Sequence, residues 1–462
     1  MPPDLIILLC DTARADAFQP WGAAYPTPTM DRLAREGALY ERATAQAPWT
    51  APSVASILTG SMPSEHGVTG ACFRWIERRP TSPAEAVRGY AGPWLPETLR
   101  DRGYRTWAAS CNSWVSRWGG FDRGFDEFHD VRPWARRRSR ADRLAYRARK
   151  GLGLMDRGGH EVAQRFGQLL AAAGPRPLFA FVDLMETHAP LNPPRPFYPF
   201  HTWRRAATRR LAGGPDQGLS YNVGVRTPAA DYVSALRALY AGCARYEDVL
   251  LGSFVAAIEG RGRPTVVMVV ADHGENLGEH GLFNHNSSLH QTLLHVPLAV
   301  WCAGLGMDRG RIPDPVSLLG VSEWCRGIAD GGPVGRLRPE TEVVSEYEGT
   351  LLHNGVPAGI RDRIEAMRPG RIPSLVFHPG VAIRRGDFKC VAIDNGDRHL
   401  FDLATDPLEE RDLAAGKPEI VQAFEPFLRA WESRRARAPV YRAGEVADEE
   451  IADHLRILGY IE

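Results

Sequence analysis

The sequence predicts an α/β protein in which a mostly parallel sheet is flanked by helices, followed by a small C-terminal antiparallel sheet with a helix. Three apolar runs, at residues 5–10, 178–184 and 265–271, have the continuous hydrophobic pattern of strands buried on both faces. Helical patterns lie between these runs, and strands that alternate with helices form a parallel sheet covered on both sides. Two apolar segments near residue 385 flank Gly386 and Asp387, which is a typical hairpin turn.

Shorter patterns predict the remaining elements. In chain order they are a helix from Pro28, a helix from Pro96 to Gly103, a strand at 106–110, a long helix at 232–258, strands at 381–385, 388–393 and 399–403, and a helix at 418–433. A chain of 462 residues is long for one domain. We therefore expect a main domain over residues 1–340 and a smaller C-terminal α+β subdomain over residues 341–462.

The composition is that of a packed globular protein. With 44% hydrophobic and 24% charged residues, the chain is neither disordered, collagen-like nor a coiled coil. The 56 basic and 55 acidic residues nearly cancel, so charge gives no general attraction to nucleic acid, and we expect no nucleic-acid partner. Residues 132–150 hold nine basic side chains. Such a segment could bind nucleic acid or a lipid head group, but a solvated helical insertion is the simpler interpretation.

The cysteines and the first residues of the chain indicate the cellular compartment that we expect for the protein. The seven cysteines are scattered and form no Cys-x-x-Cys pair, so we expect neither a disulfide framework nor a structural zinc site. The first apolar run is too short for a signal peptide, and a membrane helix needs about 20 apolar residues. We therefore expect a cytoplasmic protein without a membrane span.

Polar side chains follow the predicted strands or begin a predicted helix. Asp11 directly follows the first apolar run, His188 follows the second, and Asp272 and His273 follow the third. Thr50 stands at or just before the start of an apolar helix. Parallel sheets bind ligands at the carboxyl ends of their strands, so we expect these groups at one edge. Two carboxylates, an imidazole and a hydroxyl suit Zn²⁺ or Mn²⁺ better than Ca²⁺, which prefers oxygen ligands alone.

Nine segments along nearly the whole chain carry motifs. In chain order they are residues 8–16, 25–33, 50–60, 65–67, 272–281, 295–298, 382–389, 400–407 and 455–460. Together these segments make the sequence resemble the sulfatase branch of the alkaline phosphatase superfamily. The resemblance implies an alkaline-phosphatase-like fold, a catalytic main domain and the hydrolysis of an ester bond. It also implies a small-molecule phosphate or sulfate ester as the substrate.

The resemblance also implies the metal site. Asp11, Asp272 and His273 are expected to bind one divalent metal ion, with Zn²⁺ or Mn²⁺ favoured over Ca²⁺. The oxygen of Thr50 is expected to be both a ligand of this metal and the nucleophile. Coordination to a divalent cation lowers the pKa of a hydroxyl and so activates it.

Three further residues are candidates for contact with the substrate. His285 lies where many family members place a basic residue beside the leaving group, and His188 lies where they place a substrate-contacting histidine. Imidazole can protonate a leaving group near neutral pH, so both are candidate catalytic residues. Asn112, which follows the strand at 106–110, could contact substrate oxygens or could be an ordinary turn residue.

The sequence departs from the sulfatase pattern at three positions. Sulfatases have Cys or Ser in place of Thr50 and oxidise it to formylglycine, whereas oxidation of a threonine would give a ketone. We therefore expect no formylglycine. The arginine that closes the family's nucleophile motif is Val54 here, and the family's double aspartate is Cys10-Asp11. These departures favour phosphate ester chemistry through a phospho-Thr50 intermediate.

The prediction of function is thus a metal-dependent hydrolase of phosphate mono- or diesters. Three alternatives stay open. The chain could be a sulfatase after all, or a transferase that passes the phospho group to an acceptor alcohol or amine. It could also be a non-catalytic sulfatase-like binding protein, although the joint presence of Asp11, Thr50, Asp272 and His273 argues against that alternative.

Overall fold

The computed structural model of the protein describes residues 2–69, 73–74, 79–80, 83–131, 144, 148, 155–172, 174–199, 215–222, 226–285, 287–349 and 378–435. Most of the predicted basic segment at 132–150 and the motif at 455–460 lie outside these residues. Within the described part of the chain, no helix combines the length and the apolar character that crossing a bilayer requires.

The helices and strands of the described residues alternate through most of the chain. The strands are β1 (Asp4–Cys10), β2 (Ala38–Thr44), β3 (Phe73–Arg74), β4 (Arg79–Pro80), β5 (Arg105–Ser110), β6 (Glu127–Asp130), β7 (Leu178–Leu184), β8 (Thr265–Val270), β9 (Asn276–Leu277), β10 (Phe283–Asn284), β11 (His295–Val296), β12 (Leu298–Ala303), β13 (Gly310–Ser317), β14 (Glu342–Tyr347), β15 (Gly380–Arg385), β16 (Phe388–Ile393) and β17 (Arg398–Asp402). The α-helices are α1 (Pro28–Glu36), α2 (Thr50–Thr59), α3 (Pro63–His66), α4 (Ala84–Gly89), α5 (Leu95–Asp101), α6 (Gly159–Ala172), α7 (Pro215–Asn222), α8 (Tyr232–Arg261), α9 (Gln291–Leu294), α10 (Gly320–Ala329) and α11 (Pro418–Arg435).

The main sheet has nine strands in the order β11-β2-β12-β8-β1-β7-β5-β6, and β13 also pairs with β2. The pairs β1–β7, β1–β8, β5–β6, β5–β7 and β2–β13 are parallel. The pairs β8–β12, β2–β12 and β2–β11 are antiparallel. The predicted mostly parallel sheet is therefore confirmed, and the structure adds an antiparallel part around β12 that the sequence analysis did not predict.

The central strands β1, β7 and β8 end at the same edge of this sheet. Every residue of the three strands is buried, as their apolar runs predicted. In the register of the sheet, Leu9 pairs with both Asp183 and Val270, and Ser110 of β5 also pairs with Asp183. The residues that follow these strands therefore emerge side by side at the carboxyl edge of the sheet, where parallel sheets bind ligands.

A second sheet, β14-β15-β16-β17, is antiparallel throughout. One face packs on α11, with a core that includes Ile383, Leu400 and Trp431. Ser345 and Glu346 of β14 bond to backbone groups beside β2, which attaches this sheet to the main one. The predicted small antiparallel sheet with a helix is confirmed. The proposed domain boundary after residue 340 stays a prediction.

Candidate active site

Asp11, Asp272 and His273 form a buried cluster at the carboxyl edge of the main sheet. Asp11 follows β1, whereas Asp272 and His273 follow the adjacent parallel strand β8. Each side chain has a possible ligand atom, and these atoms all lie within 4.8 Å of one another. Among the described residues, no other group of His, Cys, Asp and Glu side chains meets this condition.

Each carboxylate of the cluster has one oxygen that accepts hydrogen bonds and one that accepts none. Oδ2 of Asp11 accepts a hydrogen bond of 2.5 Å from Asn112 Nδ2, and Oδ1 of Asp272 accepts from the backbone N–H groups of Thr12 and His273. The other oxygens, Oδ1 of Asp11 and Oδ2 of Asp272, are buried without a hydrogen-bond partner. A buried carboxylate oxygen without a partner carries a large desolvation cost unless a cation balances it.

The imidazole of His273 adds a nitrogen donor to these two oxygens. Its Nδ1 donates to the carbonyl oxygen of Gly274 at 2.9 Å, so Nε2 carries the lone pair. Nε2 lies 3.7 Å from Oδ1 of Asp11 and 3.5 Å from Oδ2 of Asp272. The three atoms that the protein leaves available therefore converge, and this donor set fits a divalent cation.

The electrostatics of the cluster also favour a cation. Burial raises the pKa of Asp11 well above its usual value, and the nearby Asp272 carboxylate raises it further. Burial likewise raises the pKa of Asp272, with the charge of Asp183 adding to the effect. Burial lowers the pKa of His273, and His285 lowers it further. A bound divalent cation reverses these tendencies because it stabilises ionised carboxylates and a neutral imidazole.

Thr50 is the first residue of α2 and lies beside the cluster. Its side chain is buried, and Oγ1 lies 3.2 Å from Nε2 of His273 and 3.4 Å from Nδ2 of Asn112. Ser53 Oγ donates to the backbone carbonyl of Asp272 at 2.6 Å, which fixes the start of α2 against the segment that follows β8. The N–H groups of a first helical turn lack carbonyl partners within the helix and favour anions.

Asn112 connects the cluster to the nucleophile candidate. Its Nδ2 contacts both Asp11 and Thr50, and its Oδ1 accepts a hydrogen bond of 2.8 Å from the backbone N–H of Trp114. The bond from Trp114 is a turn contact, and the same side chain also lies beside Asp11 and Thr50, whereas its contact with substrate oxygens stays a prediction. The Asn112 side chain is 2% exposed and is directed at the cluster.

The two histidines that were expected to contact the substrate lie next to each other at the cluster. The ring centroids of His188 and His285 are 4.9 Å apart, and those of His273 and His285 are 4.7 Å apart. Nδ1 of His285 lies 3.3 Å and 3.4 Å from the two carboxylate oxygens of Glu275. Burial lowers the pKa of His285, but the charge and hydrogen bond of Glu275 outweigh burial and raise it above its usual value.

Sequence reasoning missed three residues of the site's surroundings. Glu275 pairs with His285, and the signal was its place in the motif two residues after His273. Asp183 is a buried carboxylate within β7 whose Oδ2 accepts from Ser110 Oγ at 2.6 Å, and an aspartate in an apolar run was the available signal. Arg157 holds the loop that follows His188, and no sequence pattern indicated it.

The fold and the buried cluster define an α/β protein of the alkaline-phosphatase-like class with a candidate metal site. The family model described as Sulfatase matches residues 3–311, so the chain belongs to the sulfatase family, as its motifs predicted. Members of this family bind a divalent metal ion, which agrees with the donor set of Asp11, Asp272 and His273.

Two curated relatives illustrate the similarity within the family. Arylsulfatase K of Mus musculus is 29% identical over 209 residues, which are 43% of this chain and 36% of that protein. Choline-sulfatase of Rhizobium meliloti (strain 1021) is 33% identical over 150 residues, which are 32% of this chain and 27% of that protein. The matched part of the chain thus spans about a quarter to about a third of the length of these relatives.

The fold extends the similarity to the whole chain. The crystal structure of the phosphonate monoester hydrolase of Agrobacterium radiobacter superimposes with a TM-score of 0.66 at 17% sequence identity. The superposition covers 96% of this chain and 100% of that chain. At this level of identity the likeness shows the fold alone.

Proposed function

We propose that the chain is a metal-dependent hydrolase of phosphate mono- or diesters with Thr50 as its nucleophile. The position of the Thr50 hydroxyl carries the proposal, since Oγ1 lies beside both His273 Nε2 and Asn112 Nδ2 at the cluster. Membership of the sulfatase family supports hydrolysis of an ester bond. The β-methyl of threonine prevents its conversion to formylglycine, and this favours a phosphate ester over a sulfate ester.

Asp11, Asp272 and His273 are the residues that would hold the metal. Two carboxylates and one imidazole favour Zn²⁺ or Mn²⁺ over Ca²⁺. When bound, the divalent cation supplies positive charge that stabilises the phosphoryl oxygens and lowers the pKa of a coordinated hydroxyl.

The chain itself offers two groups that bind the anionic part of the substrate. The first turn of α2 begins at Thr50, so its N–H groups face the place where a phosphoryl group would bind for attack by Oγ1. Nδ2 of Asn112 is a second donor at this place, since it lies 3.4 Å from Thr50 Oγ1 and also donates to Asp11. These neutral donors orient the substrate without adding a charge that would have to be desolvated.

The proposed covalent chemistry uses these positions. Oγ1 of Thr50 attacks phosphorus as the bond to the leaving-group oxygen breaks, and the hydroxyl proton leaves to solvent. His285 gives a proton to the leaving oxygen, since Glu275 keeps the pKa of this imidazole above its usual value. Water then attacks the phosphorus of the phospho-Thr50 intermediate as the bond from phosphorus to Oγ1 breaks, and one proton of the water passes to Oγ1. This step releases phosphate or a monoester and restores the hydroxyl.

Hydrolysis of a sulfate ester is the second candidate function. The curated relatives that match the chain are named as sulfatases, and this observation favours it. The same cluster and the same helix N-terminus would also suit a tetrahedral sulfuryl group. The candidate requires that an unmodified threonine replaces formylglycine as the nucleophile.

One substrate comparison separates these functions. Purified protein with a measured metal content is assayed side by side on phosphate mono- and diesters, phosphonate monoesters and sulfate esters, with and without an added acceptor alcohol. We expect the highest kcat/KM on a phosphate ester and release of the hydrolysed product. The highest kcat/KM on a sulfate ester would replace the first candidate by the second, and a product carrying the acceptor would indicate a transferase.

A pair of variants tests the nucleophile in the same assay. Thr50→Ala is compared with Thr59→Ala, because Thr59 is also buried and lies at the other end of α2, about 13 Å away at 1.5 Å per residue. We expect loss of turnover only in Thr50→Ala. Equal activity of the two variants would exclude Thr50 as the nucleophile.

A further inference from the structure

Arg157 is a buried arginine whose side chain is fastened to the loop that follows β7. It is 9% exposed and lies just before α6. Its Nη1 donates to the carbonyl oxygen of Pro190 at 3.2 Å, and its Nη2 donates to that of Ala189 at 3.3 Å. A planar guanidinium presents these donors in a fixed fork, so it holds two consecutive carbonyl groups in one orientation.

The backbone N–H of Arg157 is also hydrogen-bonded to this loop, here with Arg157 contacting the carboxylate of Glu186. Its N–H lies 3.2 Å from both carboxylate oxygens of Glu186, and Oε1 of Glu186 also accepts from the N–H of Gly159 at the start of α6. Glu186 therefore holds the backbone of Arg157, whereas the side chain of Arg157 holds Ala189. The loop at 186–190 and the start of α6 are thus joined by two sets of contacts on either side of His188.

The carbonyl oxygen of Ala189 is shared between Arg157 and His188. It accepts from Nη2 of Arg157 and, at 2.5 Å, from Nδ1 of His188. An imidazole that donates from Nδ1 carries its lone pair on Nε2, so the position of this carbonyl decides the tautomer and the ring orientation of His188. Burial lowers the pKa of His188 well below its usual value, which favours the neutral ring, and a neutral ring has two tautomers.

We propose that Arg157 is a positioning residue, which fixes the carbonyl of Ala189 and thereby sets the tautomer and orientation of His188 in the active site. The catalytic consequence rests on the function proposed above, because His188 matters for turnover only if it contacts the substrate. The structural consequence does not depend on that function. Two readouts therefore separate a failure of the inference from a failure of the proposed function.

The first readout is the tautomer of His188. Long-range ¹H–¹⁵N spectra of protein labelled at histidine report which ring nitrogen is protonated, and His188→Gln assigns the signals. We expect the Nδ1–H form in the wild type and a shift toward the Nε2–H form in Arg157→Met, which removes all donors. Arg157→Lys, which keeps the charge and part of the donor capacity, should lie between them. A folded Arg157→Met protein with unchanged His188 signals overturns the inference.

The second readout is a double-mutant cycle on turnover. We expect Arg157→Met to lower kcat/KM by about tenfold to hundredfold, as the loss of an outer-shell partner does elsewhere. In a His188→Ala background the same substitution should lower kcat/KM by less than about threefold, because the histidine that Arg157 positions is then absent. Equal losses in the two backgrounds overturn the inference.

A control variant and a replacement variant keep the test decisive. Arg165→Met removes an arginine from α6, where it pairs with Glu161 in a partly exposed ion pair, and should change neither readout. If Arg157→Met does not fold, Arg157→Gln, which keeps one amide donor, takes its place in both experiments. If the wild type hydrolyses no ester, the proposed function fails, and the tautomer of His188 still decides the role of Arg157.

Discussion

The side-chain amide of Asn112 donates to Oδ2 of Asp11 and leaves Oδ1 as the oxygen of that carboxylate available to a cation. Asp272 shows the same division, because the backbone N–H groups of Thr12 and His273 occupy one of its oxygens. The protein therefore fixes each carboxylate by one oxygen and presents the other. Such outer contacts orient metal ligands and raise the affinity of the site.

Removing the donor of Asn112 should weaken metal binding without removing a ligand. In Asn112→Leu, which has a similar shape, we expect the affinity for Zn²⁺ or Mn²⁺ to fall about tenfold to hundredfold, because Asp11 loses the group that orients it. Competition with a chelating dye measures this affinity. Asn222→Leu is the control, since the Asn222 amide bonds only the backbone of Phe283 among the contacts described. Unchanged affinity in a folded Asn112→Leu protein would contradict the role of the amide.

Removing a ligand should have a larger effect than removing its partner. In Asp272→Ala we expect both the metal content and the turnover to fall severely, because the site loses one of its two carboxylates. Elemental analysis of the purified protein measures the metal. Asp248→Ala is a matched buried control, since this carboxylate accepts from the backbone N–H groups of Thr29 and Met30. It should lose about 1–2 kcal/mol of stability and keep its metal. Full metal occupancy in Asp272→Ala would remove this residue from the ligand set.

If His285 is the general acid, the loss of rate on its removal should depend on how much protonation the leaving group needs. We expect His285→Ala to lose more rate on an alkyl phosphate ester than on a nitrophenyl ester, because a nitrophenolate needs little protonation. The difference between the two losses, obtained from kcat/KM, is the measurement. His160→Ala is the control, since this histidine is exposed on α6. Equal losses on both substrates would mean that His285 binds the substrate without protonating the leaving group.

The central part of the fold could be predicted from sequence because burial on both faces leaves a simple pattern. The runs at β1, β7 and β8 are mostly apolar and are buried at every position. The rule for the carboxyl ends of parallel strands predicted that Asp11, Asp272 and His273 lie at one edge. The direction of β12 could not be predicted in this way. A strand buried on both faces has the same apolar pattern whether its neighbour is parallel or antiparallel.

The contacts that orient the site residues could not be predicted from the sequence, for a different reason. Arg157 and His188 are 31 positions apart, and Glu275 and His285 are 10 apart, in loops that have no periodicity. Which loop side chains meet depends on how the strands are arranged in the sheet. The burial of Lys389 could not be predicted from the sequence either, since a lysine is usually exposed. Here it is buried and pairs with Glu409 at 2.5 Å.

Glu346 should make the stability of the protein depend on pH. Burial raises the pKa of this carboxyl to about 7, although Ser64 donates to both of its oxygens. The folded-state pKa therefore lies above the usual 4.5, so the contribution of Glu346 to stability is complete below about pH 4.5 and is lost as the pH rises through about 7.

Glu346→Gln should remove this part of the pH dependence, because an amide of the same shape can bond Ser64 without ionising. We expect the melting temperature of the variant to fall less than that of the wild type between about pH 5 and pH 8. Glu342→Gln, on the same strand but in a partly exposed pair with Arg385, is the control. Parallel melting curves for Glu346→Gln and the wild type across this range would contradict the assignment.

Thr50 should become phosphorylated during turnover and should never be oxidised. It is the proposed nucleophile at the start of α2, and its β-methyl excludes conversion to formylglycine. Intact-mass analysis should show an unmodified residue whether or not a formylglycine-generating enzyme is expressed with the protein. Rapid acid quenching during turnover should trap the added mass of one phosphoryl group on the peptide that contains Thr50.

Substitutions at Thr50 should separate the contribution of its hydroxyl to turnover from that of its methyl. Thr50→Ala should lose turnover by about a thousandfold or more, because no side-chain oxygen is left to attack phosphorus. It should keep Asp11, Asp272 and His273 as metal ligands, so that metal still binds but less tightly. Thr50→Ser should keep part of the activity, since the hydroxyl remains and only the methyl that restricts its rotamer is lost. Turnover of phosphate esters by Thr50→Ala at the wild-type rate would show that water attacks the substrate directly, and the phospho-Thr50 mechanism would then be wrong.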